Sequence, residues 1–185
     1  RIEHVAGHVH HARFLGALQP FARVHAVFER HEYREPNSLI NNHVNVIFED
    51  SDGDLWYGTN NGISVYDTRQ QRWKHFLDKQ ENKAVLLCFC EDKDGNIWTG
   101  GYGIGAFRID KQSGKIHSLL HQKGANASGT FDAYHIYAMY ADDENLWLGS
   151  LDKSMIQYNL RTKSFNYHSI EAIGDIKPLN DSILL

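Results

Sequence analysis

The chain has 185 residues and a mass of 21.2 kDa, with 42% hydrophobic and 12% aromatic residues, a formal net charge of −4 and a pI near 6.3. That length and composition suit one globular domain with a substantial core and exclude a disordered chain. The absence of any lysine or arginine cluster gives no electrostatic footprint for nucleic acid or an anionic membrane, and no run of 18 apolar residues offers a transmembrane segment.

The sequence opens at Arg1 without a methionine or a signal-peptide pattern, which reads as an excerpt or a processed product. Residues 1–36 are atypical: they carry six of the twelve histidines and five arginines, but no lysine, asparagine or aspartate. The run "HVHH" (His8, His10, His11) invites a metal reading, yet no carboxylate or cysteine stands at supporting spacing. Terminal disorder or an irregular strand is the plainer expectation.

From residue 37 the chain repeats itself. The units are "HVNVIFEDSDGDLWYGTNNGISVYDTRQQRWKHF", "AVLLCFCEDKDGNIWTGGYGIGAFRIDKQSGKIHSL" and "HIYAMYADDENLWLGSLDKSMIQYNLRTKSFNYHS". Trp56, Trp98 and Trp147 mark one position at intervals of 42 and 49 residues, the extra seven falling in "HQKGANASGTF". Each unit resolves into four short strand signals separated by turn residues. In the first two, "SDGD" and "KDGN" read as Asp-Gly hairpin turns, in which glycine accepts positive φ and the aspartate bonds its own backbone.

Two local patterns need weighing against chemistry. In "EDSDGDLWYGTNNG", Asp50, Asp52 and Asp54 alternate as in a calcium loop, but glycine stands fourth rather than sixth and asparagine replaces the twelfth-position glutamate. The later units keep the turn while changing the carboxylate count, so the stretch reads as a hairpin. In the second unit, Cys88 and Cys90 share one face of a strand about 7 Å apart, a poor disulfide geometry, and read as small core residues.

A unit of about 40 residues with four antiparallel strands is the signature of a β-propeller blade. The fold class expected is therefore all-β, a partial propeller of three complete four-stranded blades plus the start of a fourth. The blades span 37–80, 81–125, 131–170 and, in part, 174–185, which includes "DIKPLNDSILL" from Asp175 to Leu185. A lone blade has two apolar faces and must bury them against neighbours. Trp56, Trp98 and Trp147 fit that packing role, and the glycine two residues later (Gly58, Gly100, Gly149) fits a close backbone approach. An arc of this kind leaves blade faces open, which predicts marginal stability or self-association such as a homodimer.

The stretch "NSLINNHVNVIFEDSDGDLWYGTNNGISVYD", Asn37 to Asp67, resembles the two-component regulator propeller repeat. The pattern "NxVxxIxEDxxGxLWxGTxxG" is specific in the first unit, good in the second and degenerate in the third, where "ADDENLWLGSLDKS" loses the glutamate and both turn glycines. "FERHEYREPNSL", Phe28 to Leu39, also resembles the outer strand and connection between such blades. The resemblance implies the sensor region of a hybrid two-component histidine kinase, a periplasmic module that recognises oligosaccharides and signals to kinase modules absent from this chain. No glycine-rich ATP lid or catalytic constellation is present, so no enzyme activity and no cofactor is expected.

In a four-stranded meander the loop into the first strand and the loop between the second and third share one face. That face gathers the candidate ligand residues Asn42, Asn60, Asn61, Tyr102, His135, Asp152 and Lys153. Amides and aromatic rings there suit a sugar, whose hydroxyls need oriented hydrogen bonds and whose apolar face stacks on rings. Turn chemistry accounts for asparagines in the same places. Two other readings stand beside oligosaccharide sensing: a protein-interaction propeller, and a lyase or hydrolase acting on carbohydrate.

Overall fold

The computed structural model describes residues 13–14, 37–77, 84–122, 124, 129–169, 177–179 and 182–184, all in strands, turns and loops. His8, His10, His11 and the outer strand read from Phe28 lie outside them.

Three antiparallel meanders follow one another. The first contains β2 (Val44–Glu49), β3 (Leu55–Thr59), β4 (Gly62–Asp67) and β5 (Arg72–Phe76), with a short strand, β1 (Arg13–Phe14), lying parallel to β2 at its edge. The second contains β6 (Val85–Glu91), β7 (Ile97–Tyr102), β8 (Gly105–Ile109) and β9 (Ile116–Ser118). The third contains β10 (Ile136–Ala141), β11 (Asn145–Ser150), β12 (Ser154–Asn159) and β13 (Phe165–His168). A final antiparallel pair, β14 (Lys177–Leu179) and β15 (Ser182–Leu184), opens a fourth unit. The architecture is thus the expected partial propeller, three blades and the start of another, with no closed sheet among the described residues.

Alternation along each strand sends successive side chains to opposite faces, and the second blade uses both. One face sets Leu86, Phe89, Ile97 and Ile109 against Val46, Trp56 and Val65 of the first blade. The other sets Cys88, Cys90, Trp98 and Ala106 against Ile136, Leu146, Ile156 and Tyr158 of the third. Trp56 and Trp98 are buried to 3% and 2% exposure, whereas Trp147, on the far face of the third blade, is half-buried. Both cysteines are free and buried, and burial pushes the Cys88 thiol up to about 12, so it stays protonated at neutral pH.

The glycines after the tryptophans let blades touch. A Cβ on Gly58 would stand 2.6 Å from Val46 Cγ1 and 3.0 Å from Leu86 Cβ of the next blade. One on Gly100 would stand 2.7 Å from Ile136 Cβ. The inner strand of each following blade packs directly on that bare backbone.

Two details differ from the sequence reading. The Asp-Gly turns are three-residue loops: Gly53 N–H donates to Asp50 O at 3.0 Å and Asp50 N–H to Asp54 O at 3.1 Å, with Gly53 at φ 83° as the bulge residue. The aspartate that holds the turn is therefore Asp50, not Asp52 beside the glycine. Its Oδ1 accepts the backbone N–H of Asp52 at 2.9 Å and of Asp54 at 3.0 Å, and Asp92 repeats the arrangement. The second detail is the longer connection before the third blade, whose ends are structural. His121 N–H donates to Phe131 O at 2.7 Å, Phe131 N–H returns to Gln122 O at 2.8 Å, and Phe131 is 1% exposed in the interface of the second and third blades.

Candidate functional site

The strand order brings the loops entering β2, β6 and β10, and those joining β3–β4, β7–β8 and β11–β12, to one rim. Of the residues expected there, Tyr102, His135 and Asp152 converge. The ring centroids of Tyr102, on the second blade, and His135, on the third, lie 4.4 Å apart, edge to face. His135 Nδ1 is 2.8 Å from Asp152 Oδ1, while Asp152 Oδ2 accepts the backbone N–H groups of Tyr134 at 3.0 Å and His135 at 3.2 Å. Asp152 therefore orients the imidazole and caps the chain entering β10. The exposed surface above this pair is apolar and aromatic: Tyr102 is 57% exposed and Leu151 73%, with Tyr134 beside them and its hydroxyl 3.4 Å from His121 Nε2.

The other candidates are held elsewhere. Lys153 Nζ pairs with Asp132 Oδ2 at 3.0 Å and lies 5.8 Å from the centre of the Tyr167 ring, whose hydroxyl donates to Asp132 Oδ1 at 3.0 Å. The Lys153 hydrogen bond holds the Asp132 carboxyl below the usual range, and burial together with the bond to Asp132 pushes Tyr167 up to about 12. Asn60 Oδ1 accepts from Asn45 Nδ2 at 2.9 Å, and the same amide reaches Leu86 O at 3.2 Å on the next blade. Asn61 is fixed through its backbone N–H, which donates to Thr59 Oγ1 at 3.0 Å. Asn42 lies in the loop leading to β2, where His43 N–H donates to Asn41 Oδ1 at 2.8 Å. Asp132, Tyr167 and Asn45 escaped sequence reasoning because their partners come from other strands.

On the opposite face stand the turn aspartates. Trp56, Trp98 and Trp147 each donate the indole N–H to the aspartate that opens the preceding hairpin, at 2.9 Å (Asp50), 2.7 Å (Asp92) and 2.7 Å (Asp142). Lys111 of the second blade reaches across to the first, contacting Asp52 Oδ2 at 2.8 Å and Asp50 Oδ2 at 3.3 Å, and binds Glu91 Oε1 of its own blade at 2.7 Å. Burial pulls the Lys111 ammonium downward, but the hydrogen bonds to Asp52 and Glu91 and the field of Asp50 outweigh it and hold the group above its ordinary range. The carboxylates of Asp50, Asp52 and Asp54 are thus aimed at protein donors, Asp54 Oδ1 taking the Thr68 N–H at 3.0 Å.

The family model described as the two component regulator propeller matches residues 38–61 and 79–103, the openings of the first two blades. The chain is similar to the extracellular domain of the putative one component system BT4673 from B. thetaiotaomicron (17% identity, TM-score 0.60), covering 76% of this chain and 18% of that one. It is also similar to the extracellular domain of the putative hybrid two component system BT3049 from the same organism (14%, TM-score 0.61; 80% and 21%). PorZ of Porphyromonas gingivalis, described as a surface component of the type-IX secretion system, matches at 19% identity and TM-score 0.54 over 72% of this chain and 23% of its own. At these identities the likeness shows the fold, and the chain spans about a fifth of the length of each. No curated protein matches the chain significantly. The chain is an arc of β-propeller blades in which residues 38–61 and 79–103 match the two-component regulator propeller model.

Proposed function

We propose that this chain is the ligand-sensing, non-catalytic part of a periplasmic two-component sensor, and that its rim recognises an oligosaccharide. The observation that carries the reading is the Tyr102–His135 pair at the seam of two blades, with Tyr102 more than half exposed and His135 held by Asp152. An exposed ring with its neighbour locked in place offers a stacking platform with little ordering cost, and the adjacent polar groups supply hydrogen bonds for hydroxyls. The sensing role is supported by the propeller repeats and by the hybrid two-component architecture named for BT3049; the periplasmic setting is supported by the extracellular domains among the neighbours. In this proposal residues 37–185 are the sensing arc, residues 1–36 are a segment of separate character, and further blades and kinase modules of a parent protein receive the signal. Regulator propellers are generally non-catalytic, which fits a binding rather than a turnover site.

The test is a thermal-shift screen of neutral oligosaccharides followed by calorimetry. A ligand at 100 times its Kd adds about 2.7 kcal/mol of stability, and Tyr102→Ala should abolish the shift. A panel that moves the melting temperature of neither protein, or one that Tyr102→Ala binds unchanged, overturns the reading. Oligosaccharide-dependent phosphorylation in the full-length parent tests the kinase connection.

A further inference from the structure

The repeats supply an internal control for every position of a blade. Beside each repeated tryptophan, the third strand places Val65 in the first blade, Arg108 in the second and Gln157 in the third. Val65 is buried in the apolar core, and Gln157 donates to Asn145 Oδ1 at 3.2 Å. The fold therefore does not require a cation here. Arg108 has no ion pair among the described residues, and its Nε is shielded from solvent without a hydrogen-bond partner. A guanidinium N–H left in that condition carries a desolvation cost, which an acceptor reached by a turn of the side chain toward the cleft would remove.

Arg108 lies on a cleft of about 180 Å³ between the second and third blades, lined also by Trp98, His117, Phe131, Tyr158 and Lys163. At about 30 Å³ per water, the space holds roughly six waters or one ring-sized molecule. Lys163, held at φ 61° in the β12–β13 turn, brings a second cation 5.9 Å from the centre of the Tyr158 ring, and its Nζ bonds the Leu160 carbonyl. Burial, then the like charge of Arg108, holds its ammonium below the ordinary range. The carboxylates that act on these cations, Asp92 and Asp94 on Lys163 and Asp110 on Arg108, form no ion pair with them among the described residues, and Asp92 is occupied by Trp98 Nε1 at 2.7 Å and by the Asn96 amide at 3.0 Å. The cleft thus combines aromatic walls, two cations and an unused donor.

We propose that this cleft binds a small ligand bearing an oxyanion, a carboxylate or a sulfate or phosphate ester, with Arg108 as its hydrogen-bonding charge partner, Lys163 as a second cation and the aromatic walls packing its apolar part. The site is separate from the rim and does not depend on oligosaccharide binding there. Guanidinium forks match planar or tetrahedral oxyanions in two-point bonds, and the partly enclosed position strengthens them.

The test uses the 185-residue chain titrated with glucuronate, inorganic phosphate, inorganic sulfate and, as the neutral counterpart, glucose. The Arg108 Nε–H signal is followed by NMR and the affinity by calorimetry. At least one oxyanion should shift that signal saturably, bind more weakly as sodium chloride is raised, and exceed glucose by tenfold or more; which one binds separates carboxylate from phosphate and sulfate. Arg108→Gln, which copies the third blade's residue and so preserves the fold, should lose about tenfold, and Lys163→Gln a smaller factor. Tyr102→Ala should leave oxyanion binding intact, so failure at the rim and failure here are distinguishable. The proposal is overturned if no oxyanion moves the Arg108 signal, if glucose binds as well, if Arg108→Gln keeps full affinity, or if Tyr102→Ala abolishes it.

Discussion

The indole N–H of Trp98 donates to Asp92 Oδ2 at 2.7 Å, and the other oxygen of that carboxylate accepts the backbone N–H groups of Asp94 and Asn96. One side chain thereby satisfies a buried indole and closes a hairpin. Asp92→Ala strips all of these acceptors and should cost about 2–4 kcal/mol, measured as a lowered urea midpoint at constant m-value. A loss under 0.5 kcal/mol would mean that water replaces the carboxylate.

Gly100 touches the third blade where a Cβ would meet Ile136 at 2.7 Å. Gly100→Ala should cost about 1–3 kcal/mol through overpacking and weaken the seam that carries Tyr102 and His135. Gly53→Ala is the contrast: its Cβ meets open space, but φ is 83°, so the cost should be about 1 kcal/mol of backbone strain. If the two variants melt alike, seam packing is not what the repeated glycine serves.

Lys111 clamps two blades through Asp50 and Glu91, with 17% of its side chain exposed. Lys111→Met keeps the apolar stem and leaves three carboxylates facing one another, so stability should fall by about 1–3 kcal/mol. Added salt should restore part of the loss by screening; a salt-independent loss would assign it to packing instead.

Acid should destabilise the arc. Burial raises the Asp142 carboxyl, but the Trp147 indole and the backbone N–H groups of Glu144 and Asn145 outweigh it and hold the group below 3.8. Its unfolded form takes up a proton first, so the stability it contributes is complete above about pH 5 and is lost as pH falls through 3.8 toward the folded value. Asp132, lowered by Lys153, acts in the same direction. Melting temperature should be level from pH 5 to 8 and drop between pH 4 and 2; a flat profile to pH 2 would remove these carboxylates as stabilisers.

Tyr102 and Asp152 should separate binding from folding. Tyr102 is exposed, so Tyr102→Ala should change stability by no more than about 0.5 kcal/mol. Asp152→Asn keeps one acceptor for the Tyr134 and His135 N–H groups but weakens the charge-assisted bonds, and should cost about 1 kcal/mol. Equal stability for the two variants would show that the Asp152 cap is dispensable.

Blade architecture was legible because a blade is a local object. Period-two apolar strands, turn residues and the Trp-x-Gly pattern lie within about 40 contiguous residues, and their repetition identifies them without any distant partner. Tyr102, His135 and Asp152 were legible as rim residues for the same reason, since strand order alone decides which loops share a face. Lys153 was placed on the correct loop, yet its ammonium turns to Asp132 and the Tyr167 ring, a choice made by the outermost strand.

By itself the sequence determined the repeat, the strand alternation, the turn positions and the packing role of Trp56 and Trp98, because each follows from short-range pattern. Only the tertiary structure decided that Lys111 spans to Asp50, 61 residues away, that Phe131 returns to fill the seam between blades, and that Arg108 lines a cleft against Tyr158 and Lys163 of the next blade. Those relationships arise where blades meet, and a side chain's partner across that seam is set by how the sheets stack, which no periodicity within a single blade encodes.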